Sequence, residues 1–304
     1  MHQLSYLHAI VMGLVQGVTE LFPVSSLGHG VILPGLLGWT DLVHAQSIPQ
    51  SYFLAFLVGL HVGTAVGLLV YYRRDWVRLI RALLATIRTR RAESPDERLI
   101  WMLIFATIPI GIVGLLAEKK LRVLFAKPLD ASIFLIANGL LLFGGELVRR
   151  RTLAASGAMD RGAHAAVATG DDAVRPLRRL EELSYPRAVA IGCTQILSLF
   201  AGISRSGVTM VAGISGGLDH EDAARFSFLL ATPVILLAGL LELPDLSGKL
   251  GDGVRGQTLA AAVCAGVTAW LSVRFLVRWF QTRTLWPFGI YCVLAGVACT
   301  AYFA

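Results

Sequence analysis

The sequence predicts an all-α polytopic membrane protein with six transmembrane helices plus two re-entrant helix hairpins, arranged as an inverted-topology repeat. Three observations carry that prediction. The 304 residues are 55% hydrophobic and only 15% charged, with a mean hydropathy of +0.66, more apolar surface than a soluble domain of this size needs. Apolar runs near the ~20 residues that cross a bilayer recur along the chain. Two of them are interrupted by polar, glycine-containing breaks, where the freed backbone groups must face a polar interior rather than lipid.

Taken in order, residues 1–39 form the first interrupted segment. Helical spacing runs from about Leu4 to Val15, breaks at Pro23–Gly30 and resumes in the short run Val31–Leu37. Neither half is long enough to cross alone, so the pair reads as a re-entrant hairpin. The segment has no basic start, no small-residue cleavage site, and carries Glu20, so it does not read as a removable signal peptide. Residues 40–51 read as a polar loop with Asp41, His44 and Gln46. Phe53–Tyr72 is a full span. Arg73, Arg74, Arg78, Arg81, Arg88, Arg90, Arg91 and Arg98 follow in what reads as one loop, which anchors the cytoplasmic side. Ile100–Leu116 crosses back. The loop 118–130 carries Lys119, Lys120, Arg122 and Lys127, which weakens the charge contrast.

Ala131–Val148 crosses inward, and Arg149–Arg151 open a polar stretch to about Tyr185 that reads as a flexible cytoplasmic loop. Residues 186–224 repeat the first theme. Ala188–Phe200 meets the break Gly202-Ile203-Ser204-Arg205-Ser206-Gly207, and a short apolar run continues to Gly217. Phe226–Leu243, Leu259–Leu276 and Pro287–Phe303 are the last spans. The whole is one integral membrane domain, with repeat 1 over 1–148, the polar loop over 149–185 and repeat 2 over 186–304. Each half is one broken hairpin plus three spans, and the two halves enter the bilayer from opposite sides. Broken elements meeting near the midplane are a known way to bind charged groups inside a membrane. That repeat rests on element order alone.

The net charge of +7 comes from arginines clustered between spans, not from a nucleic-acid-binding face. Cys193, Cys264, Cys292 and Cys299 sit in apolar segments without metal spacing and read as inert thiols.

Two clusters can carry chemistry. The first is Gln16, Glu20, Ser25, Ser26 and His29. Gln16 and Glu20 share a helix face, and their oxygens suit a hard divalent cation that also takes phosphate oxygens. His29, close to Ser26 on a broken backbone, reads as a base or nucleophile. The bland alternative is that a serine caps a helix and Glu20 makes an interhelix hydrogen bond. The second cluster is Ser204, Arg205, Ser206 and Gly207, with Thr209 nearby. A planar, permanently charged guanidinium among hydroxyls and glycine suits a phosphate. Its alternative is an arginine that snorkels to the interface. Weaker candidates are His61, Gln195, Arg225 and Glu242. Trp76, Trp286, Tyr71 and Tyr72 read as interface aromatics. Together the clusters describe cleavage of a phosphate ester or anhydride by charge neutralisation.

At these two stretches the chain resembles the undecaprenyl-diphosphatase (bacitracin resistance) family of bacterial inner membranes. The first family motif matches Gln16–Glu20 and Pro23–His29. The second matches Gly202–Gly207, with Ala201 standing where a proline is usual. Phe226–Leu230 and Pro233 also look like the family. The resemblance implies hydrolysis of undecaprenyl diphosphate to the monophosphate carrier of peptidoglycan synthesis. It implies a multi-pass inner-membrane protein whose site opens to the periplasm, and a requirement for Mg²⁺ or Ca²⁺. Glu20 and Gln16 would hold the metal, Arg205 would bind the diphosphate, and Ser26 and His29 would share the nucleophile and base roles. The partners implied are the polyprenyl diphosphate and bilayer lipids, with a homodimer among the expectations. The competing reading is a transporter or flippase of polyprenyl phosphate, since inverted repeats are also a transporter device.

Overall fold

The computed structural model describes residues 4–47, 52–124, 127–163, 180–248 and 251–304, and of these the side chains at 47, 54, 117–124, 155–163, 181 and 240–247 lie outside the description. The described residues fold into α1 (Tyr6–Thr19), α2 (Ser26–Leu37), α3 (Thr40–Ser47), α4 (Tyr52–Tyr71), α5 (Arg73–Thr89), α6 (Pro95–Leu124) and α7 (Pro128–Ala163). After these come α8 (Tyr185–Thr194), α9 (Arg205–Ser215), α10 (His220–Ser247), α11 (Arg255–Thr282) and α12 (Trp286–Phe303). Short 3-10 turns cover Leu180–Glu182 and Gln195–Leu199.

Among the described residues, five helices are long and apolar enough to cross a membrane: α6, α7, α10, α11 and α12. A sixth is added when α4 is counted with α5, from which it departs by a bend of 85°. The bend falls at Tyr72, where the apolar run gives way to Arg73 and Arg74, residues that hydrocarbon would not accept. The short apolar helices α1 and α2 meet at the first break, as the interrupted pattern predicts.

Four stretches read as loops contain helix among the described residues. Thr40–Ser47 is α3, Arg73–Thr89 is α5, and α7 continues through Arg149–Arg151 to Ala163. Helix α6 likewise runs to Leu124, into the span read as the loop 118–130. In α5 the arginines mask a second pattern: Val77, Ile80, Leu84 and Ile87 form an exposed apolar stripe at helical spacing. The side chains of Lys119, Lys120, Arg122 and Glu242, and residues 164–179 of the 149–185 stretch, lie outside the described residues.

The helices pack in exchanged pairs. α1 lies on α11 and α8 on α6, and α7 packs on α12, while α4 packs most closely on α11 and also on α10. Small residues permit the closest approaches. A Cβ added to Gly13 would collide with the Ala261 carbonyl, and one on Gly192 with that of Ala106. Such contacts let helices associate where lipid offers no hydrophobic driving force. One end of the bundle is tied by polar contacts. Arg225 pairs with Asp75 at 2.9 Å, Glu146 accepts from His220 at 2.6 Å and from the Leu285 backbone at 2.7 Å, and the Leu180 backbone donates to Asp222 at 2.8 Å.

Candidate functional site

The two helix breaks meet. A Cβ on Gly28 would stand 2.9 Å from the Gly202 backbone, so only glycine allows the two chains this close. Gly202 itself is at φ +108°. The polar backbone groups freed at each break are satisfied by the other, as apolar surroundings require. The Gly202 N–H donates to Ser25 Oγ at 3.1 Å, and the Ser206 hydroxyl donates to the Phe22 carbonyl at 3.2 Å. Asn138, fully buried on α7, bridges both. Its Nδ2 donates to the Pro23 carbonyl at 2.9 Å and its Oδ1 accepts from the Ser204 N–H at 2.9 Å.

Each break ends in the same helix start. Ser25 caps α2 by accepting from the Gly28 N–H at 3.2 Å, and Ser204 caps α9 by accepting from the Gly207 N–H at 3.1 Å. Gly13, Gln16, Ser25 and Gly28 recur at one constant offset as Gly192, Gln195, Ser204 and Gly207. At that offset Glu20 falls opposite Leu199, and Ser26 opposite Arg205. The chemistry is therefore divided: one break keeps the acid and the hydroxyl, the other the cation.

Those groups converge on Glu20, which is buried. Its Oε1 accepts from Arg205 Nη2 at 2.6 Å. Its Oε2 accepts from the Ser26 hydroxyl, from Gln16 Nε2 at 3.0 Å, and stands 3.2 Å from His61 Nε2. The other His61 nitrogen meets the Leu57 carbonyl at 2.8 Å. Both ring nitrogens face acceptors, an arrangement that the doubly protonated imidazole satisfies. A carboxylate in apolar surroundings is thus met by the Arg205 guanidinium, the His61 imidazole and two neutral donors.

Of the residues singled out in the sequence, Gln16, Glu20, Ser26 and Arg205 come together, and His61 joins them. His29 does not. Its Nδ1 donates to the Ser25 carbonyl at 2.7 Å, which leaves Nε2 to accept from the Tyr291 hydroxyl at 2.7 Å, and the two rings stack. Ser25, Ser204 and Ser206 are taken up in capping and in bonds across the breaks, the latter two bonded to each other at 3.0 Å. Thr209 is buried against Ser227, its hydroxyl at 2.7 Å. These four hydroxyls shape the junction, and Gly207 provides the capped N–H of α9. Gln195 donates to the Ala106 carbonyl at 3.3 Å, a helix–helix bond, and Arg225 serves the Asp75 tie.

Asn138 and Tyr291 were missed. A lone amide in the apolar run Ala131–Val148 was the available signal for Asn138. Nothing in the apolar C-terminal span distinguished Tyr291.

Among the described residues, no three His, Cys, Asp or Glu side chains gather as a metal site. Gln16 gives its amide N–H to Glu20, which leaves its carbonyl oxygen as a second hard donor beside the carboxylate. Two oxygens fit a divalent cation that draws its remaining ligands from phosphate and water.

The family model for the bacitracin resistance protein BacA matches residues 9–298. The chain is 52% identical to undecaprenyl-diphosphatase 2 of Frankia alni, an alignment that covers 100% of this chain and 99% of that one. It is 50% identical to the undecaprenyl-diphosphatase of Mycolicibacterium paratuberculosis, over 99% and 98% of the two chains. To undecaprenyl-diphosphatase 2 of Chromobacterium violaceum it is 44% identical, over 96% of each.

Proposed function

The chain belongs to the bacitracin resistance protein BacA family, and we propose that it hydrolyses undecaprenyl diphosphate to undecaprenyl phosphate and inorganic phosphate. The observation that carries this reading is the Glu20–Arg205 pair with the Ser26 hydroxyl on the same carboxylate, at the junction of two broken helices. A diphosphate carries more negative charge than the one carboxylate it would displace, so it competes for Arg205 by bidentate contact. Glu20 is then left facing the Ser26 hydroxyl and can accept its proton. The Ser26 oxygen attacks the terminal phosphorus, the bridging P–O bond breaks, and the lipid monophosphate leaves with that electron pair. Water then cleaves the phosphoserine, and Glu20 returns the proton to Ser26. His29 would join only after its ring leaves Tyr291.

A divalent cation, Mg²⁺ or Ca²⁺, would be held by Glu20 and the Gln16 carbonyl together with phosphate oxygens. It would neutralise charge on the diphosphate. The role of the junction residues Ser25, Ser204, Ser206, Gly207 and Thr209 is to hold Arg205 and the α2 and α9 N-termini toward the phosphates.

The architecture that supports this is an inverted repeat. α1, α2, α4, α6 and α7 form one half, and α8, α9, α10, α11 and α12 the other. The exchanged packing pairs and the constant offset between the breaks support it. In this reading α4 alone is the sixth span, α1–α2 and α8–α9 are re-entrant hairpins, and α5 lies along the cytoplasmic surface of the inner membrane. The site would open to the periplasm. A homodimer is compatible with this arrangement.

Purified protein in detergent, given a polyprenyl diphosphate and Mg²⁺, is expected to release phosphate. Glu20→Ala and Arg205→Ala should each abolish release with the fold kept. Ser26→Ala should abolish a trapped phosphoenzyme, whereas His29→Ala should slow its breakdown. Lipid movement across vesicles without phosphate release would instead favour the transporter.

A further inference from the structure

The last turns of α11 carry a feature that this chemistry does not use. Arg274, Arg278 and Arg283 border one open cleft of about 530 Å³ together with Trp279 and Thr282. Arg274, Arg278 and Thr282 follow at four-residue spacing on the exposed side of the helix. Among the described residues, none of the three guanidiniums pairs with a carboxylate. Two of them lie over rings instead: Arg274 is 5.6 Å from the centre of Trp270, and Arg283 is 6.0 Å from that of Trp279. Three unpaired cations on one concave surface repel one another and concentrate a positive potential that an anion relieves.

The cleft continues into an apolar track. Leu259, Val263, Val267, Leu271 and Phe275 are all exposed and recur every fourth residue along α11. At the helical rise they span about 24 Å, more than the roughly 15 Å of hydrocarbon in one leaflet, so a lipid chain running from the cleft has apolar contact along its whole length. The track also reaches the edge of the helix-break junction. Phe275 stacks on Phe22 at 5.8 Å and contacts Trp279 at 5.6 Å, and Phe22 is the residue whose carbonyl receives the Ser206 hydroxyl.

We propose that this cleft is a binding site for the phosphate head group of a membrane lipid, with the lipid chain laid along α11. Arginines supply the forked donors that phosphate oxygens need, Thr282 adds a hydroxyl, and the track supplies the apolar contact that a free anion would not use. The site lies apart from Glu20 and Arg205 and does not depend on their assignment.

The test uses the full chain in neutral detergent, with retained lipid counted by native mass spectrometry. The probes are dioleoyl phosphatidic acid, dioleoyl phosphatidylcholine as the zwitterionic control, and inorganic phosphate as competitor. The expected result is preferential retention of phosphatidic acid. The Arg274→Gln/Arg278→Gln double variant should weaken it roughly thirtyfold, the factor that two lost basic contacts near a membrane surface carry. Millimolar inorganic phosphate should not displace the lipid. Phosphate release from a polyprenyl diphosphate in detergent alone should be unchanged, which shows the variant is folded. Should the double variant not fold, Arg278→Gln alone should weaken retention about fivefold. Equal retention of the two lipids, or equal retention by wild type and the folded variant, would overturn the proposal. Displacement by inorganic phosphate would overturn the lipid assignment in favour of a free-anion site.

Discussion

At the scale of single residues, the Glu20–Arg205 pair sets both stability and chemistry. Removing Arg205 leaves Glu20 with His61, Ser26 and Gln16, so the loss should be smaller than the ~3–5 kcal/mol of a fully stranded buried charge. Arg205→Gln should therefore lower the unfolding midpoint in detergent, and Glu20→Gln introduced beside it should recover most of the loss. Neither the single nor the double variant should release phosphate. Recovery of turnover together with stability would show that the pair is structural only. Ser25 gives a second prediction. It sits at φ +68°, a region where side chains are strained, and its hydroxyl holds the Gly28 and Gly202 N–H groups. Ser25→Ala keeps the strain and loses both bonds, so it should cost about 2 kcal/mol. Ser25→Gly also loses the bonds but relieves the backbone by about 1 kcal/mol, so chemical denaturation should rank glycine above alanine. The reacting residues were legible because a carboxylate, a hydroxyl and a guanidinium stand out in apolar runs. The bonding state of His29 was not, because its partner Tyr291 lies 262 positions away on a helix that the local pattern marks only as a span.

At the scale of elements, the junction of the two breaks depends on α7. Asn138→Ala would leave the Ser204 N–H buried without a partner and the Pro23 carbonyl with only the weak Cys292 thiol contact at 3.8 Å. The expected loss is roughly 2–4 kcal/mol, with kcat falling more than KM rises, because Glu20 and Arg205 would no longer be held in register. A fall in stability with unchanged kcat would restrict Asn138 to a packing role. Helix α5 makes a different prediction. In water, a polar residue at the exposed Leu84 position would be neutral. If the stripe Val77–Ile87 rests on the bilayer surface, Leu84→Gln should cost about 1 kcal/mol in liposomes and little in a short-chain detergent. Eight arginines dominate 73–98 and give it the pattern of a loop. Four apolar residues at helical spacing beneath them carried the helix signal. Likewise the Pro23 and Gly202 interruptions were readable as breaks, yet which backbone groups each break satisfies in the other depends on contacts across the whole chain.

At the scale of the molecule, composition and recurring apolar runs were enough for an all-helical membrane body, and the order of elements was enough to suggest two related halves. The recurrence of Gly13, Gln16, Ser25 and Gly28 was overlooked because so few positions repeat, and three of the four are small residues used for packing or capping. The residues between them diverged into an acid-bearing and a cation-bearing copy, which hides the kinship from inspection. The backbone contact at Gly28 and Gly202 has a consequence for motion. Machines that ferry a solute swing one half against the other about a fixed centre. Here the junction is pinned, since such a swing would break the hydrogen bonds that Gly202 makes to Ser25, Ser206 to Phe22 and Ser204 to Asn138. If hydrolysis is the activity, a covalent link between the breaks should leave it running, whereas a ferrying cycle would be arrested.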